Sequence, residues 1–230
     1  VPNNDPGYAP PTLIQHGGKD LLLIWETQNL NALEPTTGKV YWRLPIVVDY
    51  KMPVMAPRLV GDLLYASGVE QTAALVKLGA GAEPTAEIVW RARPKMAQFT
   101  VNSSPVLHEG HIYGANVDGE FVCAKLDTGE RVWSDYAPTT GKDLGGRKNR
   151  SGTCFIVKNG DRFILFSETG HLIFANLKPE KYEELSRAQI IVPTGTAWNR
   201  PLVWSHPAFA NKCVFARNDQ EIVCVSLAKE

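Results

Sequence analysis

The sequence predicts an all-β fold, a β-propeller of four-stranded antiparallel blades with about five blades in this chain. Three observations predict it. Short apolar runs of Val, Ile, Leu, Phe and Tyr recur with a period of roughly 43 to 51 residues. Each period holds up to four such runs, a length typical of strands rather than helices. Turn residues separate them, as in "NGD", "VDG" and "DTG".

The first run of each repeat opens with a proline, and an apolar residue stands two positions later. The prolines are 46, 48 and 102 residues apart. The last interval is two periods, so the missing copy should lie near residue 155, in "SGTCFIV". The openers are Pro11-Thr12-Leu13, Pro57-Arg58-Leu59, Pro105-Val106-Leu107 and Pro207-Ala208-Phe209.

Three further runs follow each opener, separated by short polar turns. The second runs are "GGKDLLLIW", "VGDLLYAS", "EGHIYGAN", "NGDRFILFS" and "NKCVFARN". The third runs are "LNALEP", "AALVKL", "EFVCAKL", "HLIFANL" and "EIVCVSL". The fourth runs are "KVYWRLPI", "AEIVWRAR", "ERVWSDY" and, without a tryptophan, "EELSRAQIIV". Only "PEKYEELSRAQ" has helical character, and one turn of helix in that connection would be compatible with four strands in the unit.

We therefore assign the whole chain, 1–230, to a single propeller domain. Its blades are approximately 11–46, 47–95, 96–138, 139–193 and 194–230. The last blade lacks its outer strand, and "VPNNDPGYAP" with three prolines is a poor donor for it. We expect this chain to be part of a seven- or eight-bladed propeller, completed either by missing N-terminal blades or by a second chain.

A glycine and a tryptophan recur together at the third turn of the repeat. Gly38 and Gly129 each stand four residues before a tryptophan, Trp42 and Trp133. We expect each glycine to supply a positive φ, with a preceding Asp or Thr bonding to the turn amides. We expect Trp42, Trp133 and the corresponding Trp90 to pack between blades rather than to line a cofactor site.

Composition and charge exclude several classes of function. The 24 basic and 24 acidic residues balance, which argues against a nucleic-acid-binding protein. No apolar run is long enough for a membrane-spanning helix. The four cysteines form no CxxC pair, and we expect them to be buried core residues. "HEGH" at His108–His111 lacks further ligands, so we expect no metal site.

The repeat "A-x-x-x-x-TG-K/E-x-x-W" resembles that of the pyrroloquinoline-quinone-like (PQQ-like) propellers. This family includes quinoprotein alcohol dehydrogenases and the scaffold lipoprotein of the bacterial outer-membrane β-barrel assembly machinery. "NSSPVLHEGHIYG" and "CAKLDTGERVW" are similar to phrases in secreted repeat proteins common in planctomycete-type bacteria. The resemblance covers Pro11 to Leu227 and implies a periplasmic or secreted protein.

The resemblance does not extend to the quinone site of the dehydrogenases. Those enzymes hold a calcium through Glu, Asn and Asp and often have a disulfide between adjacent cysteines. This sequence has no adjacent cysteines and no residue set that matches the calcium ligands. We therefore expect no cofactor, neither PQQ nor calcium.

Blade geometry places the candidate binding residues in loops on one face of the propeller. Arg, His, Asn and Trp around a funnel suit a polar ligand or a peptide. The long loop "DYAPTTGKDLGGRKNRS" is either a partner contact or a solvated insertion. The candidates are Trp25, Glu26, Asn102, Asn116, Arg150, Glu168, His171, Trp198, Arg200, His206 and Arg217, together with Gln28, Glu70, Ser103, Asp118, Asn199 and Asn218.

Two hypotheses of function follow. The first is a non-catalytic scaffold that binds a protein or saccharide partner on this face. The second is a fragment of an extracytoplasmic oxidoreductase or hydrolase with its site in the central channel, which would need an acid or base of strongly perturbed pKa. The first is favoured because structural repeats dominate the sequence and no spacing is typical of catalysis.

Overall fold

A computed structural model describes residues 5–228 of the chain, and these residues fold almost entirely into antiparallel β-sheet. Consecutive strands pair with one another, so each sheet is an up-and-down meander in chain order. Two short 3₁₀ segments, Asp49–Lys51 and Gly146–Asn149, lie in loops. The all-β prediction is confirmed.

Four sheets have four strands each, as the four apolar runs per repeat predict. The first contains β1 (Thr12–His16), β2 (Lys19–Trp25), β3 (Asn29–Leu33) and β4 (Val40–Pro45). The second contains β5 (Arg58–Val60), β6 (Leu63–Ser67), β7 (Ala73–Gly79) and β8 (Thr85–Arg91). The third contains β9 (Val106–His108), β10 (His111–Ala115), β11 (Phe121–Lys125) and β12 (Arg131–Asp135). The fourth contains β13 (Cys154–Asn159), β14 (Arg162–Ser167), β15 (His171–Leu177) and β16 (Tyr182–Gln189).

The end of the described chain is arranged differently from the predicted fifth unit. A two-stranded hairpin of β17 (Gly195–Ala197) and β18 (Arg200–Leu202) precedes a last sheet of β19 (Ala208–Ala210), β20 (Cys213–Arg217) and β21 (Ile222–Ser226). The run "LVWSHPAFANK" is therefore divided between two sheets. Within residues 5–228 the last sheet has three strands.

The segment "PEKYEELSRAQ", which has some helical character, forms a strand, as its place in a fourth apolar run predicts. Residues Tyr182–Gln189 form β16, which pairs along its length with β15 through a bulge between Phe174 and Ala175. Glu, Lys and Leu have good intrinsic helix propensity, but the unpaired edge of β15 offers a full ladder of hydrogen bonds. Tertiary pairing outweighs a local preference that is worth only tenths of a kcal/mol per residue.

The described residues form two compact units. One comprises the residues up to Val101 with Val106–Ile112 and Ala124–Arg131. The other comprises Asn102–Pro105, Tyr113–Cys123 and the residues from Val132 onward. Buried apolar side chains fill each unit, and inner strands such as β6 and β14 are buried at consecutive positions, on both faces of the sheet.

The repeated third turn has the geometry that the sequence indicates. Gly38 and Gly129 have φ of 74° and 71°, and each amide donates to the carbonyl four residues earlier. The Thr37 hydroxyl accepts from the Lys39 amide, and the Thr128 hydroxyl accepts from the Glu130 amide. Sequence analysis missed Glu34, whose carboxylate accepts from Thr36 and Thr37. The hydrogen bond from Thr37 is the main reason why the pKa of Glu34 falls to about 2.

The repeated tryptophans reach the neighbouring sheet in two of three cases. Trp90 Nε1 donates to the Leu126 carbonyl at 3.0 Å, from the second sheet to the third. Trp133 Nε1 donates to the Lys178 carbonyl at 3.0 Å, from the third sheet to the fourth. Trp42 is buried, but its Nε1 has no acceptor among the described residues.

Candidate functional site

A buried ion pair joins two candidates that are 32 residues apart, Glu168 and Arg200. The Arg200 guanidinium forks onto the carboxylate, with Nε 2.5 Å from Oε1 and Nη2 2.9 Å from Oε2. The Thr153 amide also donates to Oε2, and Arg200 Nη1 donates to the Lys148 carbonyl at 2.8 Å. Glu168 and Arg200 are 1% and 5% exposed. These contacts satisfy both charges internally, which is what burial of an ion pair requires.

Two further candidates lie where β2 ends, and their side chains bond within the protein. Trp25 is buried, and its Nε1 donates to the Ile46 carbonyl at 3.2 Å. Glu26 is also buried and accepts from the Gln28 amide and from Asn29 Nδ2. Their side chains therefore hold a loop together rather than face solvent.

The asparagine candidates are also engaged in internal hydrogen bonds. Asn102 Nδ2 donates to Thr153 Oγ1 at 3.1 Å. Asn116 is buried, and its Nδ2 donates to Asp118 Oδ1 at 2.6 Å. Asn218 is buried and accepts from two successive turn amides after β20. Short amide side chains at strand ends commonly cap turns in this way.

The histidine candidates lie apart from any acid-base pair. His171 is half-buried, and its Nδ1 is 2.9 Å from Thr169 Oγ1. Burial, helped by the charge of Arg187, lowers the pKa of His171. The ring of His206 lies against Phe155, with centroids 3.9 Å apart, and desolvation lowers the pKa of His206.

Trp198 has a different setting from the other candidates. It occupies the first position of the two-residue loop between β17 and β18, because Ala197 pairs with Arg200. Trp198 and Asn199 have φ of 51° and 58°, as a type I′ hairpin turn requires. Such a turn favours Asn or Gly, and a bulky residue at positive φ costs roughly 1 to 2 kcal/mol. Trp198 is nevertheless 37% exposed, so burial does not explain its place.

Two arginines of the long loop lie over the Trp198 ring. The guanidinium carbons of Arg147 and Arg150 are 5.9 and 5.7 Å from its centroid, within cation-π range. Arg200, next but one in the chain, anchors the hairpin to the same loop through the Lys148 carbonyl. We call Trp198, Arg147 and Arg150 the Trp198 cluster.

The loop that carries these arginines is internally bonded. Buried Asn149 accepts from the Leu144 amide at 2.8 Å and donates to Asp143 Oδ1 at 2.6 Å. The bond from Asn149, together with one from the Gly145 amide, lowers the pKa of Asp143. Ser151 and Gly152 continue the turn with backbone bonds of 2.8 and 3.0 Å. These bonds therefore hold the backbone that carries Arg147 and Arg150 in one conformation.

A cleft of about 380 Å³ lies beside the same hairpin. Polar groups dominate its lining, and Trp204 at its edge is 40% exposed. Arg217 lies here with Asp219, away from the buried ion pair. The remaining lining residues are Gly195, Thr196, Leu202, Val203, Ser205 and Asn218.

The structure thus brings Arg150, Trp198, Arg200 and Glu168 together around one hairpin, but it gives no common site for all candidates. Sequence analysis noted the basic loop but omitted Arg147. A pairing of Arg147 with an aromatic ring depends on contacts across more than 50 residues and leaves no local spacing signal. Within residues 5–228, no three His, Cys, Asp or Glu side chains are grouped as metal ligands would be. None of the helices in that range has the length and apolar character needed to cross a membrane.

Comparisons with known structures support the same architecture. BamB from Moraxella catarrhalis superimposes with a TM-score of 0.63 at 17% identity, over 98% of this chain and 60% of that chain. The quinohemoprotein alcohol dehydrogenase ADHIIG from Pseudomonas putida HK5 has a TM-score of 0.57 at 11% identity, over 94% of this chain and 39% of that one. The Cps50 (Swd1) β-propeller domain of Myceliophteria thermophila has a TM-score of 0.55 at 14% identity, over 91% and 70%. These likenesses show the β-propeller fold, and this chain spans 60% of the length of the Moraxella protein.

The family comparison is more specific. No curated protein matches the sequence. A family model described as outer membrane protein assembly factor BamB matches residues 26–230. That match covers most of the chain and agrees with the PQQ-like repeats. The chain therefore belongs to the family of the outer membrane protein assembly factor BamB.

Proposed function

We propose that this chain is a non-catalytic scaffold and that the Trp198 cluster binds an acidic segment of a protein partner. The observation that carries the proposal is Trp198 itself, a large aromatic side chain at a strained turn position and 37% exposed. Backbone strain of this kind persists where the side chain has a use that compensates for its cost.

The electrostatics of the cluster favour an anionic partner. Arg147 is exposed, and among the described residues it makes no salt bridge. A guanidinium that stacks on an indole keeps its N–H groups directed outward for a bidentate bond with a carboxylate. Tryptophan and arginine are also the residues most enriched at binding hot spots. A partner segment with an acidic side chain beside an apolar one would match both the arginines and the Trp198 ring.

The polar candidates favour a scaffold over an enzyme. Glu168 and Arg200 neutralise each other, Glu26 caps a turn, and Asn116 bonds to Asp118. A general acid or base needs a proton-accepting group within reach of a substrate, and these groups are committed to internal bonds. The likeness to the quinohemoprotein alcohol dehydrogenase shows the fold alone.

The family description supports a protein partner rather than a saccharide, since it concerns the assembly of outer membrane proteins. As part of the same proposal, the protein acts outside the cytoplasm. Fractionation of cells that express the natural gene tests this location, and recovery with cytoplasmic markers would contradict it.

The binding proposal is tested by titrating the protein with a short peptide in which glutamate alternates with tyrosine. The control peptide replaces glutamate with glutamine, and a neutral glucan serves as the saccharide probe. We expect Trp198→Ala to weaken binding of the acidic peptide at least tenfold, on the order of 1.4 kcal/mol. Trp204→Ala is the matched control, because Trp204 is similarly exposed but has no arginine over its ring among residues 5–228. It should change affinity less than twofold.

Three results would overturn the proposal. One is equal binding of the acidic and glutamine peptides. Another is equal loss of affinity in the two tryptophan variants. The third is binding of the glucan alone, which would favour a saccharide scaffold.

A further inference from the structure

The fourth sheet lacks the tryptophan that the other four-stranded sheets carry on their last strand. In the first and second sheets, Trp42 and Trp90 stand across from the residue that precedes a bulge in the ladder. The same bulge occurs in the fourth sheet, between Phe174 and Ala175, and the residue across from Phe174 is Ser186. A serine therefore occupies the tryptophan position of the repeat in this sheet.

The tryptophan of the second sheet fills space between that sheet and the next. The ring centroid of Trp90 is 6.1 Å from that of Tyr65 on β6, and its Nε1 donates to the Leu126 carbonyl of the third sheet at 3.0 Å. In the third sheet, Trp133 lies in the same tilted arrangement, 6.0 Å from Tyr113. We call the space between the Tyr65 and Leu126 positions of the repeat the indole slot.

The corresponding slot beside the fourth sheet lies between Ile164 and Leu227. Ile164 pairs with the residue before the bulge, as Tyr65 does in the second sheet. The Leu227 amide donates to the turn between β19 and β20 at 2.7 Å, as the Leu126 amide donates to the turn between β9 and β10 at 2.8 Å. Both aromatic rings of the pair are therefore replaced here by smaller side chains, on strands that pair along their whole length.

A cavity of about 400 Å³ lies in this slot. Ile164 and Leu227 both line it, together with Phe209 of β19. Phe174 is partly buried, whereas its counterpart in the second sheet, Leu75, is 1% exposed. The volume is within the range of roughly 300 to 1,000 Å³ that is typical of small-molecule sites. The missing tyrosine and tryptophan of the repeat therefore account for a cavity of useful size.

Two lysines give the cavity a preference for an anion. Lys158 and Lys212 both line it, and both are exposed. Neither makes an ion pair within residues 5–228, and no acidic residue of that range lines the cavity. Clefts lined by charge of one sign concentrate ligands of the opposite sign. Apolar walls with two cationic side chains match a ligand that joins a flat ring to a carboxylate.

We propose that the cavity between the fourth and last sheets binds a small bicyclic aromatic carboxylate. Its ring lies between Ile164 and Leu227, where the second sheet places its own indole. The Leu227 carbonyl is the counterpart of the one that accepts the indole N–H there. The carboxylate pairs with Lys158 and Lys212. The site is separate from the Trp198 cluster, none of whose residues lines the cavity.

Isothermal titration calorimetry of the full chain with indole-3-acetate tests the proposal. The control ligands are indole-3-ethanol, which lacks the carboxylate, and acetate, which lacks the ring. We expect indole-3-acetate to bind at least fivefold more tightly than indole-3-ethanol, and acetate to show no saturable binding. The double variant Lys158→Gln with Lys212→Gln should remove the preference for the carboxylate, because it keeps the apolar walls and loses both charges.

The variant Ser186→Trp tests the position of the site, because it restores the indole of the repeat. We expect it to weaken indole-3-acetate binding at least tenfold and to raise Tm, since a filled cavity gains packing contacts. Val192→Trp is the matched control and should change affinity less than twofold, since Val192 is an exposed apolar residue of the same unit outside the cavity lining. Ala210→Trp, on the exposed part of the lining, is a second blocking variant if Ser186→Trp does not fold.

Four results would overturn the proposal. The first is the absence of saturable indole-3-acetate binding. The second is equal affinity in Val192→Trp and in the folded blocking variant. The third is loss of binding in Trp198→Ala alone, which would place the ligand in the Trp198 cluster. The fourth is tighter binding of a tryptophan-containing peptide than of indole-3-acetate, which would identify a protein side chain as the occupant.

Discussion

Replacing Arg200 with methionine tests whether the buried ion pair is structural. The change leaves the Glu168 carboxylate, 1% exposed, with the Thr153 amide as its one remaining donor among the described residues. Removing one partner of a buried pair typically costs about 3 to 5 kcal/mol. For a chain of this size, that corresponds to a fall in Tm of roughly 6 to 20 °C. Thermal and urea unfolding at neutral pH measure the loss.

The double variant Glu168→Gln with Arg200→Met separates charge from packing. The glutamine is neutral and still accepts the Thr153 amide, so we expect it to recover about 2 kcal/mol relative to Arg200→Met alone. A cost below about 1 kcal/mol for Arg200→Met would refute the reasoning. So would a double variant no more stable than the single one, because Glu168 would then not be a buried unpaired charge.

Three other predictions concern the repeats and pH. Trp90→Phe should cost about 1 kcal/mol of unfolding free energy beyond the lost packing, because the Leu126 carbonyl loses its donor; urea unfolding measures the loss. Equal stability of the unchanged protein and of one whose Trp90 is replaced by an isosteric indole analogue that cannot donate would contradict this. Gly129→Ala should destabilise the protein more than Gly38→Ala. Both glycines have positive φ, which costs alanine about 1 to 2 kcal/mol, but only at Gly129 would the new Cβ meet the Trp90 ring, at 3.3 Å. Equal costs in thermal unfolding would contradict a role for this contact. Because burial lowers the pKa of His171, the unfolded chain binds a proton at His171 at higher pH than the folded chain does. The contribution of His171 to stability should therefore fall as pH drops below about 6.5. His171→Asn should flatten that decline between pH 7 and 5, and an unchanged slope of stability against pH would contradict this role.

The β-structure was predictable because its determinants are local. Apolar runs with turn residues between them mark strands, and the glycine four residues before a tryptophan marks the third turn. Residues 182–189 were the most ambiguous, since their composition also suits a helix and pairing with the edge of β15 decides for a strand. The hairpin before the last sheet was missed for a related reason, because its two strands of three residues are too short to show a period.

The candidate site was less predictable than the fold. Glu168 and Arg200 were selected as available polar groups, yet each is the other's partner through the tertiary structure. Trp198 was selected as a loop residue, but its positive φ and the two arginines over its ring depend on the hairpin register. Arg147 was missed because a basic residue in a polar loop has no local mark of stacking.

The measurement that tests the central claim most directly is the response of the indole N–H signals in a ¹H–¹⁵N spectrum to the acidic peptide. The chain has six tryptophans, each assignable by a single substitution. If the Trp198 cluster is the binding surface, the Trp198 indole signal shifts in proportion to occupancy, while those of Trp25 and Trp90, which bond to backbone carbonyls, stay in place. A spectrum in which Trp198 is unmoved at saturating peptide, or in which all the signals move together, would contradict the account.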